Sequence, residues 1–180
     1  MNIQPISVSG KWRTIVLQML GVAMLFLGLV ACSRMGAAEV RVQDGKVCFT
    51  LTHEEFQRES GKMIHRGYYV EKQDKDKWNM VWGYYTHEPM PFKEGDCLPY
   101  GFLPKDAELS NITGEPPLPK SPQELQMNAL YSVSVLAYTD IGSGGTQYGI
   151  KFCLRQNNGT IIVEQGPNLS LDQTCLRQTG

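Results

Sequence analysis

Five cysteines carry most of the chemistry open to this chain, and the first differs in kind from the other four. Cys32 closes the run Leu29-Val30-Ala31-Cys32, a thiol behind small and apolar residues at the end of a hydrocarbon stretch. That is the setting in which a cysteine is diacylated and the preceding leader is cut away. Lys11 and Arg13 provide a positive n-region and Ile15 to Val30 an apolar h-region, so residues 1–31 read as a bacterial lipoprotein signal peptide. A plain secretory leader and a spanning helix are the alternatives. The apolar run falls short of the roughly 20 residues a spanning helix needs, and no charge cluster follows it. Ser33 stands where an aspartate would hold a lipoprotein in the inner membrane. The expected location is therefore the periplasmic face of the outer membrane, with residues 32–38 as a lipidated tether and 39–180 as one domain.

The other four cysteines, Cys48, Cys97, Cys153 and Cys175, suit a different chemistry. An even number in an oxidising compartment reads as two disulfides. Zinc is the competing use, but no pair has the short spacing of a zinc ligand set. Three pairings are open to four cysteines.

Catalytic groups are sparse. His53, His65 and His87 are the only histidines, none has a partner at metal-ligand spacing, and all three read as solvated loop or strand-edge residues. There is no Gly-x-Ser-x-Gly elbow for a serine nucleophile. Gly142-Ser143-Gly144-Gly145 lacks the trailing Lys-Ser/Thr of a phosphate cradle, and Asp74-Lys75-Asp76 lacks the glycine and distal glutamate of a calcium loop. No enzyme activity, metal, cofactor or small-molecule substrate is expected. Loss of Lys11 and Arg13 with the leader takes the formal charge from −1 to −3. A nucleic-acid partner would call for a basic excess, so the balance excludes that class and leaves a protein partner.

The elements that would position these residues are strands. Val40 and Val42, Asp44-Gly45, then Val47, Phe49 and Leu51 form a hairpin signal, since Asp-Gly accepts the positive φ of a tight turn. Ile64 to Lys72 and Trp78 to Thr86 flank the charged turn 73–77. Trp78, Met80, Trp82 and Tyr84 are expected on one face of the return strand. His53 to Lys62 reads as a loop or short turn, and the Pro- and Gly-rich stretch 89–121 as irregular. Strands are expected again over Leu130 to Tyr138, Gln147 to Leu154 and Thr160 to Glu164, with a turn at Asn157-Asn158-Gly159. The class is all-β, and the spacing of turn signals favours an antiparallel sandwich over a barrel.

Residues 125–137 resemble the E–F corner and F strand of a fibronectin type III or immunoglobulin-like domain. Leu125 lies six residues before Tyr131, and Tyr-x-Val-x-Val-x-Ala follows. The resemblance makes Tyr131 a corner tyrosine whose hydroxyl bonds to upstream backbone, with Leu125 packed beneath. The paired tyrosines Tyr68, Tyr69, Tyr84 and Tyr85 cannot all face inward, because neighbours on a strand alternate. Some must be exposed, which makes the four candidates for a partner surface.

Val47-Cys48-Phe49-Thr50, Gly95-Asp96-Cys97-Leu98-Pro99-Tyr100-Gly101, Asn128 to Val135, Gln147-Tyr148-Gly149 and Asn157-Asn158-Gly159 follow the lipobox in order. Together they resemble the type VI secretion immunity periplasmic lipoproteins, a family of small enterobacterial proteins. Cys48 and Cys97 match that family's pattern, and Cys153 and Cys175 stand as an added pair, which favours the pairing Cys48–Cys97 with Cys153–Cys175. The stretch 101–123 departs from the family. The resemblance implies a protein that binds a cognate effector acting in the periplasm and neutralises it by surface occlusion. The alternative function is a structural or assembly lipoprotein binding an envelope or secretion component.

Overall fold

The computed structural model describes residues 36–59, 63–109, 120–139, 146–170 and Cys175; the leader, Cys32 and the first residues of the tether lie outside them. Among the described residues nine strands and one short helix follow in order: β1 Gly36–Gln43, β2 Lys46–Leu51, α1 His53–Arg58, β3 Met63–Asp74, β4 Lys77–Phe92, β5 Leu98–Pro99, β6 Ala107–Glu108, β7 Leu130–Thr139, β8 Thr146–Asn157 and β9 Thr160–Gln165. Turn chemistry sets two of the registers. Asp44 and Gly45 take φ of 51° and 74°, and Asn158 and Gly159 take 50° and 80°. Two successive residues at positive φ make a two-residue loop that matches strand twist, pairing Gln43 with Lys46 and Asn157 with Thr160.

The strands form one curled mixed sheet in the order β5-β2-β1-β8-β7-β3-β4-β6, with β9 also on β8. The curl has a local cause. β1 runs parallel to β8 only through Gly36 and Ala37, then pairs antiparallel with β2 from Ala38 onward. Where β1 peels away, the side chain of Gln165 substitutes for a strand: its Oε1 accepts from Val40 N at 2.7 Å and its Nε2 donates to Val40 O at 3.2 Å. A primary amide carries both the donor and the acceptor that an unpaired peptide needs. The β1-β2-β5 ribbon thus folds back over the larger part of the sheet. Phe49 of β2 sits 4.8 Å from the Tyr68 ring and 5.9 Å from that of Phe152. Val70, Trp82, Tyr84, Val133, Val135, Tyr148 and Leu154 belong to the same buried core.

Several expectations are corrected. The sheet is mixed instead of wholly antiparallel, because Gly36 and Ala37 pair with Tyr148 and Gly149. The same pairing starts β1 three residues before the expected domain start at 39. Residues 53–58, expected as loop, form α1, which buries Phe56 against Phe92 at 5.5 Å; the Glu55 carboxylate accepts the Ala37 N–H at 3.1 Å and pairs with Arg58. β4 does not stop at Thr86 but runs to Phe92, past Pro89 and Pro91. Prolines are tolerated there because β4 is an edge strand apart from its pairing with β6 at Tyr85 and Thr86. Trp78, Met80, Trp82 and Tyr84 do not share a face. The register steps from Val70↔Trp82 to Glu71↔Met80, so Val81 is a bulge that turns Trp78 and Met80 to the side opposite Trp82 and Tyr84.

Candidate partner-binding face

The side of β3, β4, β7 and β8 turned away from the core carries the chain's most distinctive side-chain cluster, and a second bulge builds it. Against β7 the register steps from His65↔Ala137 to Gly67↔Leu136, leaving Arg66 without an opposite residue. The step lets His65 and Tyr68, three residues apart, both point inward while Arg66 points out. It depends on Gly67, whose φ is +137° and whose absent Cβ would be driven into the carbonyl oxygen of Tyr84. Thr86 Oγ1 donates to Arg66 O at 3.2 Å and holds the bulged peptide.

From that position the Arg66 guanidinium lies between two tyrosines from neighbouring strands. Nε donates to Tyr138 Oη at 2.8 Å, and Nη1 donates to Tyr85 Oη. Its carbon is 5.5 Å from the Tyr85 ring centre and 5.6 Å from that of Tyr138. The bonds to Tyr138 and Tyr85, in that order, raise its pKa above the ordinary arginine value. None of the ion pairs among the described residues involves Arg66. Alongside, Gln147 Nε2 donates to Tyr69 Oη and, at 2.8 Å, to Ser134 Oγ. Ile64 and Leu136 are half-buried on the same face, and exposed His87 and Glu108 pair at 3.2 Å on its rim.

The four candidate tyrosines divide as strand alternation requires. Tyr69 and Tyr85 are half-exposed on this face. Tyr68 and Tyr84 are 0% and 2% exposed, which removes them from any partner surface. Tyr68 Oη donates to Pro99 O at 2.8 Å and accepts from Gly101 N at 3.2 Å, fastening β5 to β3. Burial raises the pKa of both phenols. Arg66, Tyr138 and Gln147 were not among the candidates. The signal that marks them is Arg66-Gly67 in mid-strand, since an isolated strand glycine points to a bulge.

The remaining candidates lie elsewhere. Tyr131 Oη accepts from Gln126 N at 2.7 Å and its ring stacks on Phe152 at 5.4 Å, with Leu125 packed against the core. Cys48 and Cys97 are bridged, with Cα atoms 5.4 Å apart. Cys153 and Cys175 are not: they are two buried free thiols in side-chain contact, clustered with Leu130 and flanked by Trp78 and Leu169. Burial raises both pKa values, which keeps them as thiols and makes them poor nucleophiles. Cys32 and the 142–145 loop lie outside the described residues. Among those residues no group of three or more His, Cys, Asp or Glu could hold a metal.

His65 is buried, against the expectation of a solvated histidine, because the Arg66 bulge turns it inward beside Phe92 at 5.2 Å. Its Nδ1 has no hydrogen-bond partner among the described residues. Burial lowers its pKa to about 4, with Asp96 opposing weakly. The unfolded chain, with an ordinary histidine pKa near 6.5, therefore binds the proton more readily. His65 stabilises the fold fully above about pH 6.5, and that contribution is lost as pH falls toward 4, by about 3 kcal/mol at most. Urea unfolding at pH 7.5 and pH 4.5 should show the loss in wild type and a smaller one in His65→Phe. Parallel profiles would assign the acid sensitivity to other groups.

No protein-family model, curated protein or solved structure matches the chain.

Proposed function

We propose that the mature chain is a lipid-anchored protein on the periplasmic face of the outer membrane that binds a type VI secretion effector and neutralises it by covering its active surface. The lipobox at Cys32 supports the location and the ordered motifs from Val47 to Gly159 support the class. The observation that carries the binding reading is the cluster of Arg66, Tyr69, Tyr85 and Tyr138 on one open sheet face. Tyrosine and arginine are the residue types that dominate binding energy at protein interfaces. Here hydrogen bonds across four strands hold them in place before any partner arrives, which lowers the entropy cost of association.

The fold reading that accompanies this is a fibronectin type III-like sandwich. It is supported by the strand order β8-β7-β3-β4 faced by β1-β2-β5 and by the Tyr131–Gln126 bond before β7. We also read Cys153 and Cys175 as a bridge in the mature periplasmic protein. A disulfide-bearing oxidant met before these residues are buried would take up the two electrons and two protons released as the S–S bond forms, and the folded chain holds the two side chains in contact.

The binding reading is tested by purifying the lipoprotein from membranes together with the products of adjacent genes. One secreted effector should co-purify at a one-to-one ratio, with a Kd of about 1 nM or tighter, equivalent to about −12 kcal/mol. Recovery of an envelope-assembly component in its place would favour the alternative function.

A further inference from the structure

We infer that Arg66 is the anion-binding anchor of this face and that its occupant is an aspartate or glutamate side chain presented by a protein partner. The inference rests on the binding reading above and specifies its chemistry. The side chains around it, Tyr69, Tyr85, Tyr138 and Gln147, are neutral, and the His87–Glu108 pair lies at the rim. Arg66 donates to two phenol oxygens, neither of which carries the charge that a guanidinium ordinarily meets in a folded protein, and no described carboxylate pairs with it. The arginine is nonetheless fixed: Nε is held by Tyr138, Nη1 by Tyr85 and its backbone carbonyl by Thr86. A planar fork with donors to spare, already oriented, matches the two oxygens of a carboxylate.

The surroundings support the same occupant. Tyr85 and Tyr138 flank the guanidinium at 5.5 and 5.6 Å, and their phenol oxygens fix its orientation. Half-buried Ile64, Leu136 and Tyr69 supply apolar area that a partner loop would cover. A chain with a net charge of −3 after loss of its leader repels acidic partners in general. A single positive anchor amid apolar area on such a chain favours one placed carboxylate over a broadly acidic surface. It also disfavours a membrane surface, which would be met by several lysines or arginines.

The test uses the full lipoprotein in membranes, with a photo-crosslinking residue at Tyr69 and, as control, at Lys46 on the folded-back ribbon. Crosslinks at 69 but not at 46 should identify a partner segment containing Asp or Glu. Affinity for that partner should fall by about 100-fold in Arg66→Glu and by about 10-fold in Arg66→Lys, which keeps the charge but loses the fork. Replacing the partner carboxylate by arginine should restore binding to Arg66→Glu alone. A purely structural role would instead lower the unfolding midpoint of the glutamate variant and give no rescue, overturning the inference. Unchanged affinity in Arg66→Glu, or crosslinking only to lipid, would overturn it too. The two readings separate by partner identity. An envelope component held through a carboxylate defeats the immunity reading and keeps the anchor, whereas an effector held at another face does the reverse.

Discussion

Gly67→Ala is expected to lower the unfolding free energy by about 3 kcal/mol or more and to dismantle the Arg66 cluster with it. Two costs combine. An L-residue at a φ of +137° is strained, and its Cβ would collide with the Tyr84 carbonyl, a backbone atom of the neighbouring strand that cannot swing aside. Relief requires β3 and β4 to part, or the bulge to move, and either turns Arg66 away from Tyr85 and Tyr138. Gly95→Ala serves as the control. Its φ is also positive, +93°, but a Cβ there would meet nothing within 4 Å, so it isolates the backbone strain at about 1 kcal/mol. Urea unfolding of both variants measures the difference. Equal losses at the two positions would mean that the close approach at Gly67 is easily relieved and that the bulge is not what holds Arg66.

The second large effect is expected from the Cys48–Cys97 bridge. It closes a loop of sequence separation 49, and its removal as the Cys48→Ala/Cys97→Ala double variant should cost about 4 kcal/mol through the greater freedom of the unfolded chain. For a domain whose total stability is of the order of 5–15 kcal/mol, that is a large share. The loss should be concentrated at β5, which follows Cys97 directly, pairs with β2 through two residues and carries the Pro99 carbonyl that accepts from Tyr68. Guanidinium unfolding with and without dithiothreitol reads the effect. A change of the unfolding free energy below about 1 kcal/mol would show that β5 and the Tyr68 contacts close this loop without covalent help. Any reductant sensitivity that survives in the double variant reports a Cys153–Cys175 bridge.

Strand positions were legible where local chemistry decides them. Asp44-Gly45 and Asn158-Gly159 fixed their turns, and the alternation Tyr131, Val133, Val135, Ala137 marked the buried face of β7. The bulges at Arg66 and Val81 were not legible from periodicity, because each breaks the two-residue repeat on which strand patterns rest. The consequences differ. The bulge at Val81 split the expected aromatic face of β4, whereas the one at Arg66 buried His65 and brought Arg66, Tyr85 and Tyr138 together from three separate strands. Its partners Tyr85 and Tyr138 are 19 and 72 residues away, a juxtaposition only the sheet order supplies. Helix α1 is not legible in the sequence, because six residues are too few to display a 3.6-residue period. Tyr68 and Tyr84 were indistinguishable from Tyr69 and Tyr85 until the phase of their strands was known.

Protection of its own cell is the most direct test of the proposed immunity function. A strain lacking the gene, grown in contact with its parent, should be outcompeted when the parent's type VI system fires and should survive equally beside a secretion-deficient parent. Restoring the wild-type gene should restore survival, and Cys32→Ala, which removes the thiol proposed to be acylated, should not. Equal survival of deletion and parent strains beside an attacker whose system demonstrably fires would contradict the immunity function and favour a role in envelope assembly.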